Sequence, residues 1–79
     1  MESFREIITV IGTAELGKLF GIATGHVNTM RQRNSIPPEY WALLIERAAQ
    51  HGITLDYPQL RAWRREALGR ATLRRQRTG

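Results

Sequence analysis

Apolar side chains recur every three or four residues along most of the first fifty positions, the spacing of helices that bury one face. The first apolar stripe contains Phe4, Ile7, Ile8 and Ile11. Ser3 can cap this helix, Glu6 completes a capping box three residues later, and Gly12 provides a left-handed stop. The β-branched run at residues 7–11 is also compatible with a strand, but its spacing favours a helix.

Two short helices are predicted next, one between Thr13 and a tight turn at Gly21, and one that begins around Ala23 or Thr24 and ends at about Arg33. Thr13 is the N-cap candidate of the earlier helix. Its buried face holds Leu16, Leu19 and Phe20. Gly17 lies mid-helix, where glycine costs about 1 kcal/mol relative to alanine. We therefore expect Gly17 to allow a close backbone approach of the next helix, and Gly21 to adopt a positive φ.

The helix at residues 24–33 divides into two faces at about 100° per residue. Val27 and Met30 point toward the core. The opposite face holds Gly25, Asn28, Thr29 and Gln32, and the flanks hold His26, Arg31 and Arg33. Solvent exposure alone favours Glu and Lys, which are absent here, whereas Asn and Gln match the N6/N7 pair of adenine and a threonine methyl can meet that of thymine. This composition predicts direct contact with DNA.

Two prolines end this helix, because Pro37 and Pro38 cannot continue it. Pro38 is predicted to lie in the first turn of a fourth helix, which ends at His51 with Gly52 as its C′ glycine. The apolar stripe of the fourth helix consists of Tyr40, Trp41, Leu44, Ile45 and Ala48. We interpret its two aromatic rings as core packing rather than as a ligand cage.

A fifth helix is predicted after Asp56 or Thr54, either of which can cap it. Its thin apolar stripe contains Leu60, Trp63 and Ala67. Residues 70–79 have few apolar positions and are predicted to form a basic, flexible tail. We therefore expect an all-α fold, with four to five helices in one compact domain over residues 1–69.

The chemistry-bearing residues narrow the classes of function. The 79 residues include no cysteine, and His26 and His51 lack the spacing of a zinc pair, so no metal or cofactor is expected. There is no nucleophile–base–acid set and little volume for a sheltered pocket, so neither an enzyme nor a small-molecule substrate is expected. The N-terminus carries charge without a long apolar run, which predicts a cytoplasmic protein without a membrane segment.

The net charge of +5 is concentrated at the C-terminal end. Residues 1–60 hold five basic side chains against six acidic ones, whereas residues 61–79 hold seven arginines and a single acid, Glu66. Such a cluster suits a phosphate backbone or an anionic lipid surface, unless it is only a solvated face. Base selection and electrostatic affinity are therefore expected to lie in different segments of the chain.

The segment from Phe4 to Leu55 resembles the lambda-repressor-like (Cro/repressor-type) helix-turn-helix superfamily, with a closer match to the short bacterial YdaS-like and carph-isopro domains. The residues that carry the resemblance are Gly17, Gly21 and Val27, the segment IPPEYW and the helix ALLIERAAQHGI. Such domains more often have alanine at position 17 and tryptophan at position 30. The resemblance implies a small prophage-like or chromosomal transcription regulator, associated with the nucleoid, whose helix at 24–33 enters the major groove.

On this interpretation ten residues contact double-stranded DNA: Thr13, Lys18, Thr24, Gly25, His26, Asn28, Thr29, Arg31, Gln32 and Arg33. Cro-like domains commonly bind as dimers on half-sites about one turn apart. Leu60 and Trp63 are candidates for a dimer seam, although Trp63 can equally cover the core. The alternative is a protein-interaction module that binds RNA polymerase or another regulator, which the near-neutral charge of residues 1–60 keeps open.

Overall fold

Five α-helices and one 3₁₀ turn form the computed structural model, which describes residues 2–78, with side chains described for residues 2–69. The elements are α1 (Phe4–Ile11), α2 (Thr13–Phe20), α3 (Thr24–Arg33), a 3₁₀ turn (Pro38–Tyr40), α4 (Trp41–Gln50) and α5 (Tyr57–Thr78). No strand occurs among the described residues, so the all-α prediction is confirmed. The predicted basic tail at residues 70–79 falls outside the described side chains and stays a prediction.

The start of α1 is capped by Ser3, as the sequence predicts. Its Oγ accepts the backbone N–H of Glu6 at 3.2 Å. The second half of the predicted capping box is wrong, because Glu6 Oε2 accepts the N–H of Glu2 at 2.7 Å instead of that of Ser3. Ser3 is fully extended (φ −155°, ψ 162°), and Glu2 lies within reach of the Glu6 carboxylate. All four apolar residues of the stripe are buried, which confirms the helix over the strand.

A single residue, Gly12, separates α1 from α2. Its φ of 104° and ψ of 143° belong to a region that favours glycine, but not to the left-handed helical region that the sequence predicts. Gly12 also occupies the N-cap position of α2, and no side chain caps this end. The prediction of Thr13 as N-cap is therefore wrong. Because the turn takes up only one residue, Thr13 is already the first residue of the helix.

α2 and α3 approach each other closely at Gly17. A Cβ added there would lie 3.0 Å from the backbone oxygen of Ile22, so any side chain would press on the turn. Gly21 has a φ of 72° and a ψ of 33°, the left-handed conformation that ends α2. Val27 and Met30 are the buried residues of α3. The predictions for both glycines and for the inner face of α3 are confirmed.

Phe4 lies at the centre of the core, between two tryptophans. Its ring centroid is 6.2 Å from that of Trp41 and 5.3 Å from that of Trp63, the latter in an edge-on arrangement. Leu60 is fully buried, and Trp63 is only 8% exposed. The predicted dimer seam at Leu60 and Trp63 is therefore wrong, because the apolar stripe of α5 is already covered by the core of the same chain.

The start of α4 differs from the prediction, because Pro38–Tyr40 forms a separate 3₁₀ turn and the α-helix begins at Trp41. The Trp41 Nε1–H donates to the carbonyl of Ile36 at 2.8 Å. The ring of Tyr40 stacks on Phe20 with a centroid distance of 4.6 Å. Both aromatic residues thus pack on the core, which confirms that interpretation over a ligand cage.

The connection from α4 to α5 uses Gly52 and Asp56. Gly52 has a φ of 76°, as expected of a glycine just beyond a helix end. Asp56, and not Thr54, caps α5, since its Oδ1 accepts the Gln59 backbone N–H at 2.8 Å. Leu55 is buried immediately before this cap. The cap and the buried leucine together fix where α5 begins.

Glu15 links α2 to the C-terminal end of α4. Its Oε2 lies 2.6 Å from His51 Nε2 and accepts a hydrogen bond from Arg47 Nη1 at 3.3 Å. The hydrogen bond with His51 is the largest cause that lowers the pKa of the Glu15 carboxyl from its ordinary value; desolvation opposes this effect, and Arg47 adds to it. The contacts of Glu15 with Arg47 and His51 thus hold α2 against the C-terminal end of α4.

Candidate nucleic-acid interface

The outer face of α3 is polar and carries no acidic side chain. Its exposed residues are Thr24, Gly25, His26, Gln32 and Arg33, and its partly buried polar residues are Asn28, Thr29 and Arg31. The buried residues of α3 are Val27 and Met30, which agrees with the two faces that the helical period predicts. Since an α-helix rises about 1.5 Å per residue, the polar surface is about 15 Å long.

Gly25 leaves an open notch in the first turn of α3. A Cβ added there would meet no atom within 4 Å, and its φ is not in the positive range. Neither packing nor backbone geometry therefore requires glycine, although glycine is a poor helix former. The N-terminus of α3 also has no side-chain cap. The backbone N–H of His26 already donates to the carbonyl of Ala23, so the exposed Gly25 offers the N–H that an incoming acceptor or anion can reach.

Asn28 and Arg31 form a hydrogen-bonded pair on adjacent turns of α3. Arg31 Nη2 donates to Asn28 Oδ1 at 2.7 Å. This bond orients the amide of Asn28, whose NH₂ group makes no hydrogen bond among the described residues. Asn28 can thus donate to an acceptor on a base edge, such as a purine N7, while the remaining N–H groups of Arg31 lie beside it.

Thr29 has its hydroxyl turned toward its own helix. The Oγ1–H donates to the carbonyl of Gly25 at 3.1 Å. The methyl group and the lone pairs of Oγ1 are therefore the groups that Thr29 offers to a partner. A methyl on this face suits the predicted contact with the methyl of thymine.

The C-terminal end of α3 is held by α1. Arg5 Nε and Nη2 donate to the carbonyls of Arg31 and Gln32, each at 3.2 Å. In return, Asn34 Oδ1 accepts the backbone N–H of Arg5 at 2.8 Å. A cation at a helix C-terminus is favoured by the helix dipole. The charge of Arg5 is therefore used to fix α3, and Arg5 is a positioning residue for its outer face.

A cleft of about 200 Å³ lies between α3 and α5. It is lined by His26, Thr29, Met30, Arg33, Ser35, Pro37 and Arg64. Arg64 Nη1 donates to Ser35 Oγ at 3.2 Å and makes a longer contact with the carbonyl of Ile36 at 3.5 Å. No carboxylate among the described side chains lies within ion-pair distance of Arg33 or Arg64. The cleft therefore combines two guanidinium groups and an imidazole without a compensating acid from that part of the chain.

The two predicted contact residues on α2 are less closely tied to this surface. Thr13 is partly buried at the first position of α2, and Lys18 is exposed near its end. No hydrogen bond among the described residues links either of them to α3. The structure thus assembles eight of the ten predicted site residues on one helix and places the remaining two on its neighbour.

Sequence reasoning did not single out Arg5, Ser35 or Arg64. Arg64 is one of seven arginines in residues 61–79, and composition alone does not distinguish among them. The available signal was its spacing, because Arg64 follows buried Leu60 by four residues and therefore borders the apolar stripe of α5. Arg5 and Ser35 gain their roles only from the way α1 and α5 pack beside α3.

No family model, no curated protein and no solved structure matches this chain. Within the described residues, no group of three or more metal-ligating side chains could hold a metal ion. In the same part of the chain, none of the helices has both the length and the apolar character required to cross a membrane.

Proposed function

We propose that the protein is a sequence-specific, double-stranded DNA-binding transcriptional regulator whose helix α3 enters the major groove. The observation that carries the proposal is the outer face of α3, which is open to solvent, rich in hydrogen-bonding groups and free of acidic side chains. The major groove is about 12 Å wide and admits an α-helix. α2 and α3, joined by a tight turn at Gly21, have the layout in which a second helix is offered to the groove.

Base selection is assigned to four side chains on this face: Thr24, Asn28, Thr29 and Gln32. The amides of Asn28 and Gln32 can hydrogen-bond to base edges, and the methyl of Thr29 can pack on a thymine methyl. The notch at Gly25 supports a close approach, because a side chain there would stand between the helix and the groove floor. This arrangement accounts for a glycine that the fold itself does not require.

Phosphate contacts are assigned to the flanks and to the neighbouring helix. His26, Arg31 and Arg33 lie beside the base-facing residues, and Thr13 and Lys18 belong to α2. Contacts to phosphates position a protein on the duplex without reading its sequence. The arginines of residues 61–79 add a salt-dependent attraction to any DNA, since each neutralised phosphate releases condensed counterions.

A reading helix must be held rigidly, and α3 is fixed on two sides. Gly17 brings α2 close to the turn that precedes it, and Arg5 hydrogen-bonds to its last turn. Side chains that bind with specificity need such support, because small displacements weaken oriented hydrogen bonds. The resemblance of Phe4 to Leu55 to lambda-repressor-like domains supports the same function. If the protein binds as a dimer, its seam is a surface other than Leu60 and Trp63, which are buried in each chain.

Selection of bound duplexes from random DNA tests this proposal directly. We expect one enriched motif that survives washing with competitor DNA, and a palindromic motif if two copies bind together. An absence of any enriched motif would contradict sequence-specific binding. Recovery of a protein partner that persists after nuclease treatment, together with no motif, would instead favour the protein-interaction alternative.

Variants of the outer face of α3 then test the assignment of residues. The double variant Asn28→Ala and Gln32→Ala is expected to lose selectivity between the motif and random DNA, because each well-formed base contact contributes about 1–3 kcal/mol of discrimination. The matched control is Gln50→Ala with Thr54→Ala, two exposed polar residues outside α3. The control should bind as the native protein does. Unchanged selectivity in the α3 variant would show that another surface reads the bases.

A further inference from the structure

We propose that the cleft between α3 and α5 is a phosphate-binding site, with His26 and Arg33 on one wall and Arg64 on the other. The identity of its occupant rests on the proposed function: a single backbone phosphodiester of the DNA whose bases α3 reads. The site assigns to α5 a defined role, since one arginine of that helix, rather than its total charge, fixes the position of the duplex.

The described side chains that line the cleft carry positive charge and no acid. Arg47 and His51 contact the Glu15 carboxylate, and Arg5 donates to the carbonyls at the end of α3. Within the described side chains, Arg33 and Arg64 have no carboxylate partner at ion-pair distance. Like charges around a shared cavity repel each other, and a bound anion reverses the sign of that interaction.

Arg64 is held in place by two contacts of its guanidinium group. Its Nη1 is anchored on Ser35 Oγ and on the carbonyl of Ile36. The other N–H groups of this planar guanidinium make no hydrogen bond among the described residues, and arginine presents them in the fork that matches two phosphate oxygens. Because Ser35 Oγ accepts from Arg64, its own O–H remains available to donate to the same anion. The anchored guanidinium and the hydroxyl therefore both serve a phosphate in this cleft.

One wall of the cleft is formed by α3 itself. His26, Thr29 and Arg33 follow one another at i, i+3 and i+7, so one flank of the helix forms the wall. Thr29 lines the cleft and also belongs to the outer face that we assign to base reading. A helix in the major groove has a phosphate strand along each flank, and the cleft lies along one flank of α3. Its volume of about 200 Å³ is ample for a phosphate group with accompanying water.

The first experiment needs no DNA. The full chain, labelled with ¹⁵N, is titrated with inorganic phosphate at constant ionic strength set with chloride. We expect saturable shifts at the amides of Thr29 and Ser35 and at the side-chain Nε of Arg64. Arg64→Gln and Arg33→Gln should each abolish saturation. Arg61→Gln removes the same charge from an exposed position of α5 outside the cleft and should leave saturation intact.

The second experiment uses the selected duplex with single methylphosphonates, which remove the charge of one phosphate at a time. One position per bound protein should weaken binding of the native chain by about tenfold, as expected for a lost charge-assisted contact. The same methylphosphonate should weaken DNA binding by the Arg64→Gln and Arg33→Gln variants almost no further. Either variant should lower the magnitude of the salt slope by about 0.9 without altering the preferred motif.

The outcomes separate the site from the function. Saturable phosphate binding without any DNA binding would leave the site standing as one for a free phosphate and would overturn its DNA occupant. DNA binding in which Arg64→Gln and Arg61→Gln behave alike at every methylphosphonate would overturn the site and leave the function intact. Thermal melting checks that each variant is folded. Arg64→Lys keeps the charge but loses the forked guanidinium, so a folded Arg64→Lys variant should retain only part of the native phosphate binding.

Discussion

Arg5 of α1 and Asn34 at the end of α3 cap each other's helices. Asn34 Oδ1 accepts the backbone N–H of Arg5 at 2.8 Å, while the Arg5 guanidinium donates to the last carbonyls of α3. Unpaired N–H groups at the start of one helix and unpaired carbonyls at the end of the other are thus satisfied together. This reciprocal contact sets the position of α3 relative to the core, and with it the direction of the polar face.

Replacing Asn34 should destabilise the fold. Asn34→Ala removes the hydrogen bond to α1. It also places alanine at a φ of 54°, a left-handed conformation that asparagine tolerates better than alanine does. We expect a loss of about 1–2 kcal/mol in the free energy of unfolding, measured by urea denaturation. Asn34→Gly relaxes the backbone while it removes the cap, so its loss should be smaller. Native stability in Asn34→Ala would contradict the role of this contact.

Gly17 and Gly25 should respond in opposite ways to substitution. Gly17→Val should destabilise the protein by about 1–3 kcal/mol, because its side chain would overpack the turn beside Ile22. Gly25→Ala should keep or slightly raise the melting temperature, since its methyl group meets open space and alanine favours a helix. The same Gly25→Ala change should weaken binding to the selected duplex. Stable folding of Gly17→Val, or native DNA affinity of Gly25→Ala, would contradict these assignments.

Trp63 should behave as a core residue of a single chain. Trp63→Ala removes a buried ring that packs edge-on against Phe4, and we expect a loss of about 3–5 kcal/mol in urea unfolding. Trp63→Phe should cost less, since it keeps an aromatic ring in place. Val10→Ala, at an exposed apolar position of α1, is the control and should have little effect. If Trp63→Ala kept native stability but changed the oligomeric state, that result would contradict the core role and support the dimer seam.

The Glu15 cluster predicts an acid-sensitive part of the stability. The pKa of folded Glu15 is lowered, chiefly by its hydrogen bond with His51, from an ordinary value of 4.5. The ionised carboxylate therefore stabilises the fold fully above about pH 4.5, and this contribution is lost as the pH falls through the lowered pKa. Glu15→Gln should melt below the native chain at neutral pH, and the difference should shrink on acidification. Glu46→Gln, an exposed change on α4, should show no such convergence.

Local periodicity predicted the elements that build the candidate site. The spacing of apolar residues and the turn glycines placed one helix between the Thr13 cap and Gly21, and the next from about residue 23 or 24 to about 33. The structure has these helices at Thr13–Phe20 and Thr24–Arg33. The inner face of α3 followed from the same period. The caps were less predictable. The turn between α1 and α2 is one residue long, so Gly12 and not Thr13 occupies the N-cap position of α2.

Contacts between distant segments could not be predicted in the same way. Nothing local in the sequence relates Arg5 to Asn34, or Arg64 to Ser35, since each pair is separated by 29 residues and meets only when the helices pack. The burial of Trp63 likewise depended on Phe4 at the other end of the chain. The outer face of α3 was therefore visible in the sequence, whereas the residues that hold it and the second wall of the cleft were not.

Intermolecular NOEs between the labelled protein and its selected duplex test the central claim most directly. We expect contacts from the Thr29 methyl and from the side-chain amides of Asn28 and Gln32 to major-groove protons, such as thymine methyls and cytosine H5. Contacts to the bases that come only from other elements, with α3 remaining free, would contradict the account.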